Sequence, residues 1–407
     1  MTGAALAGSF AATLQPLIVG RAAANRSFFT AEAERLSRLC HGMAERFARG
    51  GRLIAVGRSP RARSDVRHVA VEFVHPVIVG KRALPALGLA AEGGRLERQV
   101  DLLARSEDIV IGFGADEDEG EAAPALAFAR QRGCLTIAFA ATGAEWEFEP
   151  PSEDPDIRQE LTETLYHVLW ELVHVFFEHR GLLAGRARQP LTDAGASSFL
   201  YPFLDEREDD LEAVLADVRH SVLMKAQEVG ELRAQTLSEN QPALYAAAAA
   251  LRERFERGGT LLALGNGGSA TDAMDVVADF RLGRSAGAST RGWPALDLTE
   301  DPAILTAIAN DIGVDAIFSR QVIAHGAAGD VLLTLSTSGN SRNVIEALRE
   351  SRRRGLETIS FVGYDGGTIA AQRLADYVIV TRSQHIPRIQ EAQASAYHVL
   401  RALVGSP

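Results

Sequence analysis

The chain alternates short apolar runs with longer amphipathic stretches. Thr260-Leu261-Leu262-Ala263-Leu264 and Asp330-Val331-Leu332-Leu333-Thr334-Leu335 have the length of strands, and each leads into a glycine- and hydroxyl-rich loop and then a helix-like stretch. The loops read Leu-Gly-Asn-Gly-Gly-Ser-Ala at 264–270 and Ser-Thr-Ser-Gly-Asn-Ser at 336–341. Strands alternating with helices predict an α/β fold with a mainly parallel sheet covered on both faces. In such sheets ligands sit beyond the carboxyl ends of the strands, which is where both loops fall. Residues 209–238 and 241–257 read as two helices ahead of the first strand of this half, and residues 10–49 read the same way at the start of the chain.

The pattern occurs twice. Gly50-Gly51-Arg52-Leu53-Ile54-Ala55-Val56-Gly57 matches Gly258-Gly259-Thr260-Leu261-Leu262-Ala263-Leu264-Gly265, and Asp65–Phe73 lies over Asp272–Phe280. Glu107–Ile111 lies over Gly329–Leu333, Arg132–Ile137 over Arg354–Ile359, and Tyr166-His167-Val168-Leu169 recurs as Tyr397-His398-Val399-Leu400. A period of roughly 200 residues means tandem domains rather than a solenoid. The expected division is a domain over 1–180, a linker over 181–208 and a domain over 209–407.

Composition narrows the class. The 407 residues are 46% hydrophobic, enough for full-sized cores, and the formal net charge of −11 argues against a nucleic-acid or anionic-membrane partner. The two cysteines, Cys40 and Cys134, lie far apart and imply neither a disulfide framework nor a thiolate metal site. The apolar start, Met1–Leu17, lacks a basic leader, and no run is long enough to span a membrane. A cytoplasmic protein is expected.

The loops carry the chemistry. A strand–loop–helix unit points backbone N–H groups and small hydroxyls at one spot, and the helix N-terminus adds partial positive charge. Phosphate is the natural occupant. Neither loop has the lysine of a nucleotide P-loop, and the first ends in Ala270 rather than completing a dinucleotide fingerprint, so a phosphorylated small molecule is expected.

Residues 209–405 resemble a sugar-isomerase (SIS) domain of the phosphoheptose isomerase type, through GNGGSATDAM (265–274), LTAIANDIGVDAIFSRQV (305–322), GDVLLTLSTSGNSRNVIEAL (329–348) and RIQEAQASAYHVL (388–400). The resemblance implies two tandem SIS domains, each a flavodoxin-like parallel sheet between helices, the first a degenerate copy. It implies interconversion of a ketose phosphate and an aldose phosphate, with D-sedoheptulose 7-phosphate as the leading substrate. The family's phosphate site maps onto Asn266, Gly267, Gly268 and Ser269 and onto Ser336, Thr337, Ser338 and Ser341. Asp301, Asn310 and Asp311 fall where the family's sugar is approached from a neighbouring subunit, and Arg284 stands near its substrate-facing arginine.

The family's metal and acid–base residues are a His and a Glu four apart on one helix, with a Gln and a His eight apart on the last. Such spacings put each pair on one helix face. Isomerisation through an enediol needs a base to take a proton, an acid to return one, and a cation or donor to steady the oxyanion. A set of this kind can bind zinc or another divalent ion. Here the constellation is split. The first domain keeps His68, Glu72, Gln159 and His167, whereas the second has Asp275 and Asp279 with Gln390 and His398. Conversely, the first domain's loops read Gly57-Arg58-Ser59-Pro60-Arg61 and Gly114-Ala115-Asp116-Glu117-Asp118-Glu119, and the four carboxylates of the latter repel a phosphate.

Three readings follow. The second domain is a self-contained isomerase, with Asp279 and His398 as the acid–base pair and Gln390, Asp275 and Asp301 at substrate or metal. Alternatively, the site is shared, with the first domain's quartet of His68, Glu72, Gln159 and His167 facing the second domain's phosphate loops. In the third, the chain binds a sugar phosphate without turning it over, as a regulatory or scaffold protein. Glu391 is a further base or orienting group, and His174 and His179 read as structural. The resemblance also implies a homodimer whose four SIS domains make a pseudo-tetramer.

Overall fold

The computed structural model describes residues 3–78, 81–90, 94–114, 120–183, 210–282 and 292–405. Residues 184–208 of the expected linker, the carboxylates at 116–119 and Arg284 lie outside the described residues.

The chain forms two compact units. One is Ala24–Gln227, here the first unit; the other, the second unit, joins Met1–Ala23 to Glu228–Pro407. Division by packing therefore differs from division by repeat. Residues 1–23 go with the second unit, and the stretch up to Gln227 goes with the first.

Helix α1 (Gly3–Ala48) enters the first unit at Ala24, and there β1 (Leu53–Val56), α2 (Pro60–Val74), β2 (Ala86–Leu89), α3 (Leu96–Leu103), β3 (Ile109–Gly112), α4 (Ala122–Gln131), β4 (Leu135–Ala138), β5 (Trp146–Glu147) and α5 (Pro155–Glu178) follow it. The strands pair in the order β2-β1-β3-β4-β5, all parallel. The second unit follows α6 (Leu211–Glu239) with α7 (Gln241–Glu256), β6 (Leu261–Leu264), α8 (Gly268–Leu282), β7 (Ala295–Asp297), α9 (Pro302–Asp311), α10 (Ser319–His325), β8 (Val331–Ser336), α11 (Arg342–Arg354), β9 (Glu357–Gly363), α12 (Gly367–Ala371), β10 (Tyr377–Thr381) and α13 (Ile386–Gly405). Its order is β10-β9-β8-β6-β7, again all parallel. Numbered within each unit, both sheets run 2-1-3-4-5, the flavodoxin-like order.

Every residue of β1, β3, β6 and β8 is buried, as expected of parallel strands covered on both faces. The amphipathic α11 turns Val344, Ala347 and Leu348 inward and leaves Arg349, Arg352 and Arg353 exposed. In one place the expected pattern fails. The stretch read as two helices over 10–49 lies in one continuous helix, Gly3–Ala48. In the second unit the break comes at Asn240, with Pro242 in the first turn of α7; no such proline interrupts α1 after Pro16.

The same staple holds both sheets. Asp108, at the foot of β3, accepts from the backbone N–H of Arg52 (2.9 Å) and Arg105 (3.0 Å) and pairs with the Arg52 guanidinium at 2.7 Å. Its counterpart, Asp330, accepts from Thr260 N–H at 2.8 Å and Ala327 N–H at 2.9 Å. Each carboxylate ties the entry of the first strand to that of its neighbour. In the second unit the edge strand has a further tie: Asn240 donates to Val380 O (2.8 Å) and accepts from Val380 N–H (2.9 Å).

Burial works against the Asp108 charge, but the Arg52 guanidinium and the two N–H donors outweigh it and hold the carboxyl below its ordinary range. A depressed native pKa gives stability that is present above the unfolded value and lost as pH falls through the native one. Asp108→Ala is therefore expected to lower the unfolding free energy by about 1–3 kcal/mol. In urea melts the gap between variant and wild type narrows below about pH 4.

Candidate functional site

Strands β6 and β8 are adjacent, with Leu264 opposite Thr334, and chain connections leave this pair in opposite directions across the sheet. A crevice opens beyond the carboxyl ends of such a pair. Both loops singled out from the sequence stand there. The first runs directly into α8 at Gly268, and the second ends at Ser341, which caps α11. Two helix N-termini thus open at the crevice, each with partial positive charge.

The loops are held in shape by their own polar groups. Asn266 and Asn343 exchange two amide hydrogen bonds, at 3.0 and 2.9 Å. Ser336 Oγ accepts from Gly339 N–H at 3.1 Å, and Asn340 Oδ1 accepts from Thr368 N–H at 2.9 Å and its hydroxyl at 2.7 Å. Gly339 has φ +62°, and a Cβ there would lie 2.2 Å from Gly366 O, so only glycine allows the second loop this close to the turn after β9. Ser269 and Ser336 are buried, whereas Thr337, Ser338 and Ser341 are half-buried and Asn266 and Gly267 are exposed. A groove of about 430 Å³ lined by Tyr364, Asp365, Arg382, Ser383 and Gln384 follows on from Gly363, against which Thr337 O packs.

Helices α8 and α13 bring together Asp275, Asp279 and His398. His398 Nε2 lies 3.2 Å from Asp275 Oδ2 and 3.4 Å from Asp279 Oδ2, and Tyr397 OH donates to Asp275 Oδ2 at 2.8 Å. All four are buried. A proton on this imidazole nitrogen has two carboxylate acceptors within reach. Gln390 is buried on α13 two turns before His398. Glu391 is engaged by the buried Arg388 guanidinium, and its carbonyl accepts from Arg233 at 3.3 Å. Asp301 caps α9 with its carboxylate, accepting from Ala303 N–H (2.8 Å) and Ile304 N–H (3.1 Å).

In the first unit, α2 and α5 bring His68, Glu72 and His167 together. The two Nε2 atoms lie 3.4 Å apart, and His68 Nε2 is 3.9 Å from Glu72 Oε1. Burial above all, and then the neighbouring His167, hold the His68 pKa well below the imidazole range, so the ring stays neutral as a metal ligand requires. The structure adds a residue that sequence reasoning missed. Glu163 joins His68 and His167 in a buried group whose ligand atoms all lie within 4.8 Å of one another. Gln159, Glu163 and His167 are spaced four apart on α5, the signal that could have found it. Gln159 is half-buried one turn before Glu163. Two imidazole nitrogens and a carboxylate suit zinc.

The loop after β1 is built differently. Ser59 caps α2 by accepting from Ala62 N–H at 3.1 Å, and Ala62 fills the space beside both Gly57 and Gly114, where a Cβ would come within 2.8 Å of it. Arg58 pairs with Glu121, and Arg61 pairs with Asp156 at 3.0 Å. His174 has its ring nitrogens 2.8 and 3.0 Å from the Trp170 and Arg82 carbonyls, with its pKa pushed down to about 4 by burial and then by Lys81.

Comparison with known proteins fits these loops and helices. A family model for the SIS domain matches residues 226–363. The phosphoheptose isomerase of Citrifermentans bemidjiense is 45% identical over 170 residues, which span 41% of this chain and 84% of that protein. That of Geobacter sp. strain M21 is 42% identical over 199 residues, 48% of this chain and 95% of its own length. The chain belongs to the phosphoheptose isomerase family of SIS-domain proteins.

Across its whole length, this SIS protein shares its fold with the C-terminal domain of glucosamine-fructose-6-phosphate aminotransferase from Francisella tularensis. The TM-score is 0.58 at 10% identity, over 96% of this chain and 95% of that one. That match takes in both five-stranded parallel sheets, whereas the isomerases match less than half of this chain. Among the described residues no helix is long and apolar enough to cross a membrane.

Proposed function

We propose that the second SIS unit isomerises a ketose phosphate to an aldose phosphate, with D-sedoheptulose 7-phosphate as substrate. The observation that carries this reading is the pairing, in one unit, of two loops at the β6/β8 crevice with a buried imidazole between two carboxylates. Phosphate is held by Asn266, Gly267, Gly268 and Ser269 and by Ser336, Thr337, Ser338 and Ser341, through loop N–H groups, hydroxyls and the two helix N-termini. The groove lined by Tyr364, Asp365, Arg382, Ser383 and Gln384 gives a polyol chain room and polar partners.

The chemistry is proton transfer. A base takes the C1 proton of the ketose, an enediol forms, and an acid delivers a proton to C2. Asp279 acts as base and His398 as its partner, with Asp275, fixed by Tyr397, holding the ring. Gln390 steadies the substrate oxygens, and Asp301 approaches a substrate from a neighbouring copy. A general acid or base contributes about 10²–10⁴-fold, so His398→Ala is expected to reduce turnover in that range. Ser338→Ala is expected to raise KM with a smaller effect on kcat. Turnover intact in both variants, or a loss of equal size in His167→Ala, contradicts the assignment of the chemistry to the second unit.

The first unit is proposed to hold zinc or a similar divalent ion through His68, His167 and Glu163, with Glu72 and Gln159 beside them. A bound zinc would act as a Lewis acid and would clamp α2 to α5. The pairing of Arg58 and Arg61 with carboxylates of this unit supports a site that does not take the sugar phosphate. Stoichiometric zinc in the purified protein, lost on His68→Ala, is the expected result of metal analysis. Wild-type protein that takes up no zinc contradicts it.

A homodimer is proposed, its four SIS units forming a pseudo-tetramer. Helix α9 supports it: Pro-Ala-Ile-Leu-Thr-Ala-Ile-Ala-Asn-Asp is largely apolar, yet none of its residues is buried, and Ile312 and Val314 beyond it are exposed. Sedimentation at dimer mass, shifted to monomer by Ile304→Asp with Ile312→Asp, is the expected outcome; wild-type sedimentation at monomer mass opposes it. The two buried thiols, Cys40 and Cys134, support a reducing, cytoplasmic location.

A further inference from the structure

The contact between Asn266 and Asn343 joins two segments that are 77 residues apart in sequence. Each amide donates its Nδ2–H to the other's Oδ1, at 3.0 and 2.9 Å, so the two side chains close a ring of two antiparallel hydrogen bonds. The Asn343 Oδ1 also accepts from Val344 N–H at 3.0 Å, which fixes the amide to the first turn of α11. Asn343 is buried, while Asn266 is exposed in the turn between β6 and α8. On its other side the second loop is tied by Asn340 to Thr368 and by the close approach of Gly339 to Gly366.

The sequence assigned Asn266 to phosphate contact. In the structure its side chain is committed to Asn343, in the first turn of α11 just after the second loop. We infer that Asn343 is a positioning residue, which acts through Asn266 to set the distance between the two phosphate-binding loops before any ligand arrives. The inference rests on the sugar-phosphate reading of this crevice. A doubly bonded amide pair resists both sliding and twisting, which a single hydrogen bond does not. Donors prepared in this way need no ordering when the anion binds, so the gain appears as affinity rather than as rate. Neither asparagine needs to touch the ligand for this effect.

The test is a double-mutant cycle on the full chain, with inorganic phosphate as the calorimetric probe and thermal melts alongside. Asn343→Ala and Asn266→Ala are each expected to weaken phosphate binding about tenfold. The double variant is expected to be no weaker than either single one, and KM for the sugar phosphate rises while kcat stays within about twofold. Asn266 is exposed, so its variant reports even if Asn343→Ala unfolds. Full-affinity binding in a folded Asn343→Ala protein, or strictly additive losses, overturns the inference while leaving the sugar-phosphate reading intact. Wild-type protein that binds no phosphate overturns that reading and, with it, the role assigned to the pair.

Discussion

The parallel pairing of β6 with β8 is the constraint on which the rest of the second unit depends. Only because these two strands are neighbours, with Leu264 opposite Thr334, do two loops far apart in sequence open at one crevice. The Asp330 staple secures the entry of that pair and the Asn266–Asn343 bridge secures its exit. Between the two anchors the strands are wholly buried, so the register cannot slip without exposing leucine and burying polar groups. The helix N-termini and hydroxyls are consequences of that register.

The same frame, used twice, has diverged in its chemistry. Where the first unit sets His68 against His167, the second sets Asp275 against His398. Two imidazoles at 3.4 Å share a single proton or a metal; an imidazole between two carboxylates is arranged to move a proton. The tyrosine that precedes each histidine follows the change. Tyr166 OH reaches Asp65 at 3.4 Å, whereas Tyr397 OH reaches Asp275 at 2.8 Å. The first loop diverged in the opposite sense: Ala62 packs close to Gly57 and Gly114, and Arg58 and Arg61 pair with carboxylates of their own unit. The residue pattern of the family's quartet stands in the first unit, and that of its glycine- and hydroxyl-rich loops in the second.

Much of this could be read from residues. Short continuous apolar runs gave the strands, and the spacing of glycines and hydroxyls gave the loops, because both are local properties of the chain. The pairs at four and eight positions gave the helix faces for the same reason. What escaped was non-local. The continuity of α1 turned on the absence of a proline that the second copy has. Glu163 was hidden because it has no counterpart in the second copy, where Ala394 stands, and its worth appears only once α2 lies against α5. The side-chain commitment of Asn266 depended on a partner 77 residues away, and the N-cap role of Asp301 on where α9 begins.

The central claim is that the second unit moves a proton on a phosphorylated ketose. It is tested most directly by following D-sedoheptulose 7-phosphate with the protein and added zinc in D₂O by NMR. The account predicts that aldose anomeric signals appear, with deuterium at C2 from the exchanging acid–base groups. Ligand signals that broaden on binding while no aldose forms would contradict it, and would make the phosphate cradle a binding site without catalysis.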